Sequence, residues 1–76
     1  MNESLRYNSA LLLREIRQQQ GISQEKLAKK SGIDRTFISG VERNQRNITL
    51  DTLEKLLDAL EIDKKHFLLR LAEMKF

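Results

Sequence analysis

Apolar residues recur three and four positions apart along the chain and nowhere alternate singly over any length, a spacing that belongs to helices rather than strands. The fold class this predicts is all-α, a compact arrangement of five helices. The first is expected from about Ser9 to Gln20, with Leu13 and Ile16 turned inward and Gly21 ending it in a left-handed cap. Ser23 reads as the N-cap of a short second helix, Gln24 to Ser31, which buries Leu27 and Ala28 and stops at Gly32. Asp34 is placed to cap a third, running through about Arg43 with Ile38 and Val41 inward. After a polar loop, Asn44 to Ile48, Thr49 caps a fourth helix. Its Leu50, Leu53, Leu56, Leu57 and Leu60 form the strongest amphipathic stripe in the chain and are assigned mostly to core.

Asp63 caps the fifth helix, which carries Phe67, Leu68, Leu69, Leu71, Ala72 and Met74, more apolar surface than one stripe can bury against a small core. Part of that surface is expected to meet a partner. A second copy is the economical choice, because two-fold homodimers are the commonest oligomers, and Phe67, Leu68 and Leu71 are the candidate dimer-interface residues. The competing reading is a fifth helix packed wholly within its own chain.

Length reinforces this expectation. With 76 residues, 39% of them hydrophobic, there is room for one domain, residues 1–76, whose last helix (about 63–75) contributes to dimerisation; a large enzyme is excluded. Domains of this size seldom gain more than about 3–5 kcal/mol from one core. Without cysteine and with a single histidine, neither a disulfide nor a Cys/His zinc site is available to add to it, and no cofactor, metal or small-molecule ligand is implied. No apolar run approaches membrane-spanning length. Met1 to Arg6 shows neither a basic lead nor a long apolar stretch, so neither a secretory signal nor a membrane association is expected, and the location implied is cytoplasmic.

Charge is unevenly placed. Through Asn47 there are nine basic residues against five acidic, whereas Ile48 to Phe76 holds five against six. A basic face on a small domain attracts phosphate by releasing counterions, which points the first part of the chain at nucleic acid; ordinary solvated charge is the plainer alternative.

The segment Gln24-Glu-Lys-Leu-Ala-Lys-Lys-Ser-Gly-Ile-Asp-Arg-Thr-Phe-Ile-Ser-Gly-Val-Glu reads as two short helices joined by a tight turn. Ala28 is small where the helices would cross, Gly32 supplies the turn, and Leu27, Ile33, Ile38 and Val41 anchor the pair. This leaves Arg35, Thr36, Ser39 and Arg43 on the outer side of the third helix, whose N-terminal part then suits a major groove.

Over about Leu12 to Phe67 the sequence resembles the XRE family, the phage-repressor-like helix-turn-helix regulators. The family's Ile/Leu-Arg before a glycine appears as Ile16-Arg17 with Gly21, its Ser/Thr-Gln-Glu-x-Leu-Ala as Ser23 to Ala28, and its Ile-Glu-Arg as Val41-Glu42-Arg43. Within that family the run Asp34 to Asn47 and the short length look like the controller proteins of restriction-modification systems. The resemblance implies a phage-repressor type of domain, a homodimer on a roughly palindromic double-stranded operator, and repression or recruitment of RNA polymerase according to operator position. It also implies roles. Gln24, at a helix start, suits a phosphate contact by its amide and a backbone N–H. Arg35 suits guanine O6 and N7, with a phosphate contact as the rival. Thr36 and Ser39 suit bases or phosphates, and Phe37, if outward, a thymine methyl, otherwise core. Arg43 shares the outer face, and Asn44, Arg46 and Asn47 suit the DNA backbone, although the family more often has glycine at position 44. Glu42 would repel phosphate and is expected to form a structural ion pair with Arg17. His66 reads as solvated, and Lys64 and Lys65 oppose the fifth helix's dipole.

The sequence shows no nucleophile with a base, no carboxylate pair suited to a cleft and no phosphate loop, so it reads as no enzyme. The competing class is an antitoxin-like protein-binding module whose helix-turn-helix is mainly scaffold. Five outward polar residues, Arg35, Thr36, Ser39, Asn44 and Arg46, favour DNA over that reading.

Overall fold

A computed structural model describes residues 4–76; Met1 to Glu3, part of the stretch examined for a secretory signal, lie outside the described residues. Five helices follow one another: α1 (Leu5–Gln19), α2 (Gln24–Ser31), α3 (Arg35–Glu42), α4 (Leu50–Ala59) and α5 (Lys64–Ala72). Each begins at a Ser, Thr or Asp whose side chain accepts a backbone N–H from the first turn: Ser4 from Tyr7, Ser23 from Lys26, Asp34 from Thr36, Thr49 from Thr52 and Asp63 from His66. Among the described residues no helix is long and apolar enough to cross a membrane.

Helix α1 starts about one turn before the expected Ser9. The extra turn was hidden because Asn8 and Ser9, though polar, are buried together with Ala10. Asn8 Nδ2 donates to the Lys75 carbonyl at 2.8 Å, so the far end of the chain, not local periodicity, makes a buried asparagine acceptable there.

Helix endings repeat one device. At Gly21, Asn44 and Glu61 the backbone turns left-handed, with φ of 71, 59 and 55°. The two N–H groups at each ending return to carbonyls of the last turn: Gly21 and Ile22 to Gln18 and Arg17, Asn44 and Gln45 to Val41 and Gly40, Glu61 and Ile62 to Asp58 and Leu57. Asparagine tolerates this conformation far better than glutamate does.

The core is Leu12, Leu13, Ile16, Leu27, Ile38, Val41, Leu56, Leu57, Ala59, Leu60, Phe67 and Leu71, with Ala28, Phe37 and Leu53 half-buried around it. Helix α2 packs on α3 and α4, and α1 on α3 and α5. Two expectations need correction, the burial of Leu50 and the exposure of Phe67 and Leu71. Leu50, placed in the core stripe, is 80% exposed: it is the first residue of α4 and overhangs the gap between the start of α1 and α5. Phe67 and Leu71, placed at a dimer interface, are 0% and 6% exposed within the protomer, because α5 lays that face on the core beside α1. Of the three expected interface residues only Leu68 is open, at 57%, and Leu69 matches it. Lys64, at the unfavourable end of its helix, has partners: its ammonium lies 3.3 Å from Asp58 and 4.0 Å from Glu54 on α4.

Candidate nucleic-acid interface

Successive helix residues are set about 100° apart, so Arg35, Thr36, Ser39 and Arg43 fall within an arc of about 100° on α3 and its C-cap. Ile38 and Val41 lie on the other side, against the core. Arg35, Thr36 and Arg43 are exposed and Ser39 is half-buried. Asp34 holds the first turn by accepting from Thr36 N at 2.9 Å, which fixes where Arg35 and Thr36 leave the helix. Phe37 departs from the outward position the sequence suggested. It sits about 200° from Arg35 around the helix and is half-buried against the core.

Behind this face lies an ion pair joining α1 and α3. Arg17 Nε and Nη2 donate to Glu42 Oε2 and Oε1 at 2.7 and 2.9 Å, a bidentate arrangement, while Arg17 Nη1 donates to the Ile22 carbonyl at 2.8 Å. Both residues are buried. The hydrogen bond to Glu42 raises the Arg17 pKa above the ordinary guanidinium value, against the desolvation that lowers it. The Glu42 charge is thus neutralised inside the protein and leaves the outer face of α3 positive.

Gln24 Nε2 donates to Glu42 Oε1 at 3.0 Å, so the amide is anchored from within while its oxygen and second N–H remain available at the start of α2. Sequence placed Gln24 correctly on that helix end but gave no hint of this anchor.

The loop after α3 gathers the remaining candidates: Arg46 and Asn47 are exposed and Asn44 is half-buried. Two residues that sequence reading passed over organise them. Arg6, on α1, donates from Nε to Asn44 Oδ1 at 2.9 Å and from Nη1 to Asn47 Oδ1 at 2.6 Å. Gly40, on α3, lies beneath the Arg46 side chain, and a Cβ there would come within 2.5 Å of Arg46 Cγ. A glycine inside a short helix was the available signal for Gly40, since it weakens a helix and needs a reason such as this close approach. Arg6 had no signal, being 38 residues from its partner Asn44.

A short helix following another across a tight turn, with a polar, basic outer face on the second, defines a helix-turn-helix domain, and the helix-turn-helix family matches residues 13–67. The chain belongs to that family. It is similar to a hypothetical transcription factor of Neisseria meningitidis serogroup B, 42% identical over 67 residues, or 88% of this chain, which spans 63% of that protein's length. It is similar to the control protein C.BamHI of Bacillus amyloliquefaciens, 39% identical over 69 residues covering 90% of this chain and 85% of that one. The restriction-modification controller protein C.Esp1396I, solved as a tetramer in complex with its natural 35 base-pair operator, superimposes with a TM-score of 0.89 at 42% identity, covering 93% of this chain and 95% of that one.

Proposed function

We propose that the protein is a sequence-specific regulator of transcription that binds double-stranded DNA as a homodimer and controls a restriction-modification operon, its own gene included. The observation that carries this reading is the single outer face on which Arg35, Thr36, Ser39 and Arg43 converge, continued by Asn44, Arg46 and Asn47 and freed of negative charge by the Arg17–Glu42 pair. Arg35, at the first turn of α3, is the base-reading residue. Thr36 and Ser39 flank it, and Gln24, Arg43, Asn44, Arg46 and Asn47 hold phosphates and set the register. Two copies of α3 enter successive major grooves about 34 Å apart on a roughly palindromic operator. Repression follows where the operator overlaps the promoter, and activation where bound protein contacts RNA polymerase. The protein acts in the cytoplasm, by binding and not by catalysis.

The dimer surface in this reading is not the buried face of α5 but the apolar strip beside it. Leu68 is continuous with Leu5, Leu50 and Leu53 around an open groove of about 480 Å³ that contains few polar groups. Leu5, Leu50 and Leu68 are 62, 80 and 57% exposed. Large exposed leucines this close together are unusual on a protein that stays monomeric.

Selection of bound sequences from a random duplex library, followed by salt titration of the winner against scrambled DNA, tests the proposal. A two-fold symmetric motif bound at least about a thousandfold more tightly than the scramble is the expected outcome. Failure to enrich any motif would overturn it and favour the protein-binding, antitoxin-like module.

A further inference from the structure

We infer that Arg6 is a positioning residue for DNA binding: from α1 it holds the loop after α3 so that Asn44, Arg46 and Asn47 are already aimed when the operator arrives. The inference rests on the DNA-binding reading above and adds a residue outside the helix-turn-helix.

Both hydrogen bonds run from the guanidinium to side-chain carbonyls, Nε to Asn44 Oδ1 at 2.9 Å and Nη1 to Asn47 Oδ1 at 2.6 Å. An amide whose oxygen is taken has its NH2 group left over, and that group is a donor suited to a phosphate oxygen. One planar fork therefore fixes two amides at once, as a lysine on a flexible stem would not. The contact lies at the surface, where hydrogen bonds of this kind add little to folding stability, so its main consequence is orientation. It also gives position 44 a reason to be asparagine. The backbone there is left-handed, φ 59°, which glycine would satisfy at no steric cost, but glycine would leave Arg6 with Asn47 alone. Between the two asparagines, the Arg46 stem rests on Gly40, so the loop is braced from α1 on one side and α3 on the other.

Preorganisation is worth most when the alternative is to order rotamer-rich side chains at the moment of binding, and two freed asparagines with an adjacent arginine correspond to a loss on the order of tenfold in affinity. The test compares operator affinity, its salt dependence and the melting temperature of wild type, Arg6→Gln, Asn44→Gly/Asn47→Ala and the triple combination. Expected are a melting temperature of Arg6→Gln within a few degrees of wild type, on the order of a tenfold loss of affinity, and an unchanged slope of log affinity against log salt. In the Asn44→Gly/Asn47→Ala background Arg6→Gln should cost nothing further, because its partners are gone. Full affinity in Arg6→Gln, or an equal loss with the asparagines absent, overturns the inference. So does a slope reduced by about 0.9, which would make Arg6 itself a phosphate contact. If wild type binds no operator, the functional reading has failed instead.

Discussion

Replacing Arg17 with methionine would leave the Glu42 carboxylate in the protein interior with one of its three hydrogen bonds, the 3.0 Å contact from Gln24, and would strip the Ile22 carbonyl of its 2.8 Å donor. The charged hydrogen bonds lost are worth about 1.5–3 kcal/mol each, and breaking a buried pair from one side costs about 3–5 kcal/mol in all. That matches the whole stability expected of a core this small, so Arg17→Met should be largely unfolded at room temperature, with a melting temperature lowered by some 15 °C or more where a transition survives. Arg17→Met/Glu42→Leu removes the orphaned charge as well and should recover most of the loss, because apolar replacements of buried ion pairs are commonly neutral. A double-mutant cycle by urea and thermal unfolding at fixed protein concentration should give a coupling of at least about 2 kcal/mol. Strictly additive single and double mutants would refute the reasoning. The sign with pH is simple on the arginine side: the folded-state pKa is raised above the ordinary guanidinium value, so Arg17's contribution is fully present below that ordinary value and is lost only as the pH climbs through the raised one. The refolded double mutant should still bind operator several-fold more weakly, since Gln24 has lost its internal anchor.

Arg35→Ala should lower specific affinity by about 1–3 kcal/mol without affecting folding; an equal loss on random DNA, in parallel shift assays, would reassign Arg35 to a phosphate. Leu68→Glu should keep its helical circular dichroism but raise the dimer dissociation constant at least about 100-fold by sedimentation, as two symmetry-related leucines leave the interface, whereas Phe67→Ala should lose about 3–5 kcal/mol and unfold. Gly40→Ala should hold or slightly raise the melting temperature, alanine being the better helix former, while operator affinity falls on the order of tenfold as Arg46 is pushed aside; undiminished binding would dismiss the Gly40 contact. Glu61→Gly should stabilise the protein by about 0.5–1 kcal/mol in urea unfolding, since it relieves the left-handed backbone and gives up only an exposed 3.4 Å contact with Lys30.

The sequence by itself determined the local chemistry. Four helix starts, at Ser23, Asp34, Thr49 and Asp63, were legible because a capping side chain and the first-turn N–H it serves are only two or three residues apart. The left-handed endings at Gly21 and Gly32 were legible because glycine is the residue they favour. The inward Ile38 and Val41, and with them the outer face of α3, followed from helical spacing alone. Tertiary structure decided whatever depends on residues distant in the chain. Periodicity gives a leucine a helix face but not what stands opposite it, so Leu50 was taken for core when it stands largely exposed, and Phe67 and Leu71 were offered to a partner when their own core had claimed them. Buried Asn8 needed the Lys75 carbonyl to lengthen α1, and the Arg6 fork spans 38 and 41 residues to its two asparagines. No local rule reports such contacts, because their energy exists only once the chain has folded and brought the partners together.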